Sequence, residues 1–300
     1  MRSPRQNVVL FFLIYFGSYA IAALLAPSVY VVLHHCHGQI LSPLVTYVLA
    51  RPFGKVYGRI CWIPLFFGLL FLLRRCGLNS CKKLGFHWRR WPRFLRFFLL
   101  GTGLAALLAL VRMVQFDWEW RGGFSLLLFP LFSALAISVM EEVVFRGLLL
   151  RLLCGSFGPF FALPCSGLFF SYAHFTGHSA AAFRGPSPTV SDGFRVALDS
   201  LGAICCGFQP IPFLSLFLFG LLLGSYFLRY RNLMEAVGFH SGVVFALLAF
   251  RRTVALTVPL NSSTTGNLLG CLLCPFLLCV LLSFHVHGSG VPKSSCREIS

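Results

Sequence analysis

Two carboxylates and a guanidinium stand close together in Glu141-Glu142-Val143-Val144-Phe145-Arg146, inside an apolar run from about Phe124 to Leu153. That run is long enough to cross a bilayer as a helix. Ionisable groups there cost several kcal/mol each unless they pair or face a polar cavity, so a segment that only had to span would use leucine. On a helix Glu142 and Arg146 are four apart and share a face, where they neutralise one another. Glu141 is turned by roughly 100°, which leaves it free to act as a base. Two later apolar segments carry imidazoles, in Phe170-Ser171-Tyr172-Ala173-His174 and in Gly238-Phe239-His240-Ser241-Gly242. A carboxylate and two histidines on three helices suffice for hydrolysis: the carboxylate takes a proton from water, one imidazole holds that water, and the other stabilises the oxyanion.

The elements that must position these groups are membrane helices. The chain is 57% hydrophobic, 11% charged and has a mean hydropathy of +0.82, which excludes an ordinary soluble domain. Apolar segments at Val8–Leu33, Ile60–Leu73, Phe94–Val114, Phe124–Leu153, Phe157–Phe175, Ile211–Leu228, Leu233–Phe250 and Asn267–Phe284 predict about eight spans. The fold class expected is an all-α, polytopic transmembrane helical bundle. Residues 1–300 read as a single integral membrane domain, because no soluble domain fits between the spans. Ile40–Ala50 reads as re-entrant or interfacial, and Val196–Cys206 as a weak extra candidate for a span. Val8–Ala26 is longer than a secretory signal core and reads as a retained first helix. The loop from Arg74 to Arg96 holds the densest basic cluster, which the positive-inside rule places in the cytoplasm with both termini. Trp118 and Trp120 then lie at the opposite interface.

The remaining chemistry-bearing residues read as structural. The net charge of +17 is spread between apolar segments rather than gathered in one patch, so the partners are membrane lipid headgroups and no nucleic acid is implied. Most of the 12 cysteines lie in or beside spans, where cysteine acts as a small hydrophobe. Cys271-x-x-Cys274 lacks the setting of a redox motif. Cys296 lies one place too far from the end for a prenylation box. The cluster His34-His35-Cys36-His37 reads as a surface loop, and neither a metal nor a cofactor is expected. Glu235 reads as a snorkelling acid near a helix end. The polar stretch Arg184–Gly193 reads as a loop that shapes access or simply hangs from the helix before it.

Depth gives a check on convergence. Glu141 lies about ten residues from its cytoplasmic loop and His240 about eight from another, near 12–15 Å for both. His174 is some seventeen residues from the same loop, so it converges only if its helix tilts or starts late. The ordered series Glu141-Glu142-x-x-x-Arg146, Phe170-x-x-x-His174 and the His240 helix resembles the motifs of the CAAX-processing and bacteriocin-processing (CPBP, or Abi) intramembrane proteases. Leu84-Gly85-Phe86 and Gly220-x-x-x-Gly224-x-Tyr226 match supporting phrases, so the resemblance covers residues 84–245 as a catalytic core. It implies an eight-helix core with an intramembrane polar cavity that cuts a membrane-associated peptide or protein with glutamate-activated water. By position Glu141 would be the base, His174 the water-positioning partner and His240 an oxyanion donor, with Glu142 and Arg146 supporting. The family's prevalence points to a bacterial inner membrane. One departure stands out: the family has asparagine or aspartate four residues after the last histidine, and this chain has Val244. Half of the oxyanion hole is thereby in question, with Ser241 about 100° away as a substitute. A scaffold that binds a membrane partner without cutting is the second reading. A transporter or a metal-dependent protease comes further behind, for want of inverted repeats and of a His-Glu-x-x-His motif.

Overall fold

The computed structural model describes residues 3–35, 51–115, 117–123, 127–176, 187–206 and 208–256. In chain order these form α1 (Pro4–His35), α2 (Phe53–Arg75), α3 (Cys81–Leu84), α4 (Trp91–Gln115), β1 (Trp118–Trp120) and α5 (Leu128–Glu142). A π-helical segment, Val143–Leu150, leads on into α6 (Arg151–Phe157). Then come α7 (Pro159–Phe175), α8 (Val190–Leu201), α9 (Ala203–Cys206), α10 (Pro210–Tyr230), α11 (Leu233–Thr253) and β2 (Val254–Leu256).

Six of the described helices are long and apolar enough to cross a membrane: Pro4–His35, Phe53–Arg75, Trp88–Val114, Leu128–Phe157, Pro210–Tyr230 and Leu233–Thr253. Of the eight segments expected to span, one forms a shorter helix and one is not among the described residues. The segment Phe157–Phe175 forms α7, a 17-residue helix with Pro164 inside it. Asn267–Phe284 lies outside the described residues, as do Ile40–Ala50, Cys271-x-x-Cys274 and Cys296. Val196–Cys206 forms no helix long enough to cross a membrane. Its first half belongs to α8, whose 12 residues reach only about 18 Å. Nor is all of Arg184–Gly193 a loop: Thr189 and Asp192 form a capping box, each side chain bonded to the other's backbone N–H, and the helix begins there. The same bonds hold the exposed Asp192 carboxyl below its usual range.

The described residues form two compact units. One comprises the described residues of 1–76 and 172–208, the other those of 77–171 and from 209 onward. In the first, α1 packs along α2 and α8 lies on α1. Two of its buried tyrosines reach partners within the unit: the Tyr57 phenol donates to the Tyr19 carbonyl at 2.7 Å, and the Tyr15 phenol is 3.3 Å from the Thr176 hydroxyl.

The second unit is built on α11, which packs against α4, α5 and α10. The α4–α11 contact is a backbone crossing. A Cβ on Gly238 would run into the Phe94 carbonyl, one on Gly242 into the Phe98 carbonyl, and one on Gly101 into the Phe239 carbonyl. Small residues at such crossings let membrane helices approach closely. The pair is tied at both ends. At one, β1 pairs antiparallel with β2, with Trp118 opposite Leu256 and Trp120 opposite Val254. At the other, the Leu233 N–H donates to the Gly85 carbonyl at 2.8 Å. Gly85 holds φ +102°, a left-handed conformation that glycine adopts without a Cβ penalty. Leu84-Gly85-Phe86 is therefore a strut that supplies an acceptor to the first turn of α11. Arg151 steadies it by donating to the Lys83 and Leu84 carbonyls at 2.9 and 3.0 Å.

Candidate functional site

Helix α5 delivers the two glutamates at its C-terminal end. Its buried face runs through Pro130, Ala134, Ser138 and Glu142, a spacing of four that turns this stripe towards α11. Glu142 is therefore fully buried, whereas the Glu141 side chain keeps about 20% exposure. Beyond Glu142 the helix changes to π geometry over Val143–Leu150. Such segments are uncommon and concentrate at functional sites. They shift the angular register of everything that follows, and here they carry Arg146.

Glu142 is the hub. Its Oε1 accepts from Arg146 Nη1 at 2.8 Å and from His240 Nδ1 at 2.8 Å. A carboxylate oxygen already paired with a guanidinium is an acceptor, so the hydrogen of the second bond sits on Nδ1. The other ring nitrogen, Nε2, lies 3.8 Å from Glu141 Oε2. The imidazole thus stands between the two carboxylates, gripped by one and presenting its second nitrogen to the other. Arg146 is only 1% exposed and is satisfied further by donating from Nη2 to the Gly220 carbonyl at 3.2 Å. The Phe170 ring lies 4.5 Å below its guanidinium carbon, a cation–π contact worth more in a dry site than in water. Phe170 and Phe219 also wall the imidazole, with centroids 6.2 and 5.1 Å from it and nearly perpendicular planes.

Of the residues expected at the site, Glu141, Glu142, Arg146 and His240 are brought together within one compact unit. His174 falls in the other unit, near the C-terminal end of α7, where it is exposed. Glu141 stands beside an imidazole rather than by itself. Ser241 donates to the Gly238 carbonyl at 3.1 Å, and Val244 is half-buried on α11. Glu235 does not snorkel. It is fully buried, and its Oε1 meets Arg90 and Arg93 at 3.4 and 3.5 Å. The basic groups come to the acid, at a helix N-terminus where negative charge is favoured. Among the described residues no group of three or more His, Cys, Asp or Glu side chains is arranged to hold a metal ion.

Sequence reasoning missed the aromatic walls and the Gly220 carbonyl as parts of the site. The signal was present in Phe170-x-x-x-His174 and Gly220-x-x-x-Gly224, read there only for histidine and for packing. Gly220 does pack closely, its missing Cβ lying 3.0 Å from the Gly167 Cα, and the same approach brings its carbonyl to Arg146.

Fold and site together define an all-α integral membrane protein with a buried Glu–Arg–His centre. Residues 123–246 match the family model described as Rce1-like, Type II CAAX prenyl endopeptidase Rce1-like, a family of membrane endopeptidases. The match takes in Glu141, Glu142, Arg146, His174 and His240 and agrees with the resemblance carried by the motif series. It begins after Leu84-Gly85-Phe86. No curated protein and no solved structure matches the chain.

Proposed function

We propose that the protein is an intramembrane endopeptidase in which Glu141 activates water against a peptide bond of a membrane-associated protein or peptide. The observation that carries this reading is the imidazole held between the two carboxylates, inside the segment that matches the endopeptidase family. Glu141 takes a proton from water as its oxygen attacks the carbonyl carbon, and returns a proton to the leaving amine when the tetrahedral intermediate collapses. Glu142 fixes the orientation of His240, as an acidic residue does for the histidine of a hydrolytic triad. With Nδ1–H committed to Glu142, donation from Nε2 to the oxyanion belongs to the doubly protonated ring, whose charge Glu142 balances. Arg146 pairs with Glu142 and holds it in place. The motif series Phe170-x-x-x-His174 supports His174 as the residue that positions the water. We place the protein in a bacterial inner membrane, with the Arg74–Arg96 loop and both termini in the cytoplasm.

Purified protein in lipid vesicles, given a library of membrane-tethered peptides, provides the test. Glu141→Gln keeps the side chain's shape and removes the base, so cleavage should fall at least 10²-fold and wild-type cleavage should persist in chelator. Equal cleavage by wild type and Glu141→Gln would overturn the mechanism.

A further inference from the structure

The register of α5 against α11 carries one more inference, which rests on the endopeptidase reading. The two helices run antiparallel. Glu142 meets His240, and more than three turns away on both helices the Arg252 guanidinium lies 4.2 Å from the centre of the Phe129 ring. One turn back from Glu142 is therefore level with one turn on from His240. The residues at those places are Ser138 and Val244.

Val244 stands where the resembled family has asparagine or aspartate, and valine donates no hydrogen bond. Ser138 has the hydroxyl that Val244 lacks. It is fully buried, as enclosed as His240 at 2% exposure, and it shares the face of α5 that carries Glu142. Its Oγ has no hydrogen-bond partner. Helical hydroxyls usually bond a carbonyl one turn back, and others in this unit do so: Ser215 donates to the Ile211 carbonyl at 2.9 Å and Thr253 to that of Ala249 at 2.9 Å. Ser138 leaves its O–H unused, one turn from both carboxylates.

We propose that Ser138 supplies the second oxyanion donor, in place of the side chain lost at position 244. In the tetrahedral intermediate the former carbonyl oxygen accepts from His240 Nε2–H and from the Ser138 hydroxyl. The serine keeps its proton and forms no covalent bond. Its chemistry is that of a fixed dipole aimed where charge develops.

The test uses the full chain in lipid vesicles with a membrane-tethered peptide that the wild type cuts. Ser138→Ala should lower kcat about 10²-fold, the usual effect of removing one such donor, with KM within twofold. Ser138→Thr, which keeps the hydroxyl, should stay within tenfold of wild type. Val244→Asn added to Ser138→Ala should restore at least tenfold of the lost rate, because it returns a donor at the same level on the facing helix. A packing role, or a link from Ser138 to Glu142, predicts no such rescue. Wild-type kcat in Ser138→Ala, a Thr variant as slow as the Ala variant, or a slow Ala variant that Val244→Asn leaves unchanged would each overturn the proposal. If Glu141→Gln is inactive while Ser138→Ala cuts normally, only the role of Ser138 falls. If the wild type cuts nothing in the library, the endopeptidase reading falls and Ser138 has no oxyanion to serve.

Discussion

The bonds around Glu142 separate two duties that the sequence leaves merged in a pair of adjacent glutamates. The i,i+4 spacing from Glu142 to Arg146 is legible in the chain, because it depends only on helical geometry. The bond from Glu142 to His240 is not, since it joins residues 98 apart and depends on how α5 lies against α11. The pairing of Glu235 is illegible for a related reason: its position near a helix end is local, whereas the arrival of Arg90 and Arg93 is tertiary. A buried ion pair loses most when one partner is removed. Glu142→Leu and Arg146→Leu should therefore each destabilise the protein by about 3–5 kcal/mol, read as thermal unfolding in detergent. The double variant should regain much of that loss, since neither charge is then stranded. Under the proposed mechanism Glu142→Leu and the double variant both remain inactive, because His240 has lost the acceptor that orients it. A fully active double variant would count against Glu142 as the orienting group.

At the scale of elements, the placing of His240 depends on three glycines. Gly101, Gly238 and Gly242 let the α4 and α11 backbones touch, and every added Cβ there meets a carbonyl rather than a yielding side chain. Gly242→Ala should cost about 1–3 kcal/mol through overpacking and lower the cleavage rate with it. Gly103 is the control: it lies on α4 with nothing within 4 Å of its absent Cβ, so Gly103→Ala should leave thermal stability and cleavage near wild type. Equal effects at the two positions would mean that helix propensity, not the crossing, governs. Gly238-Phe239-His240-Ser241-Gly242 is visible in the chain, yet only the partner helix shows that its two glycines are contact points. The π segment left no readable mark either. Apart from Arg146, Val143–Leu150 is apolar like the α-helical segments beside it, so nothing in its composition marks the change of geometry.

For the whole molecule, the α-helical membrane character was legible from hydropathy alone, since a bilayer tolerates few other solutions. The span count was less so: a 17-residue apolar stretch with a proline inside, such as α7, sits at the limit of what composition decides. The proposed orientation can be checked chemically. In a variant freed of its other cysteines, the exposed Cys81 of the basic loop should react with a membrane-impermeant maleimide only from the cytoplasmic face. A cysteine introduced at Glu119, on β1, should react only from the opposite face, and the reverse pattern would invert the topology. The double tie between α4 and α11 has a mechanical consequence. A strand pair at one end, the Gly85 strut at the other and backbone contact between them leave His240 on a post with no slack. The facing helix α5 is fastened to the same post through the bond between Glu142 and His240. A change at the α4–α11 crossing is therefore passed through His240 to Glu142 on α5.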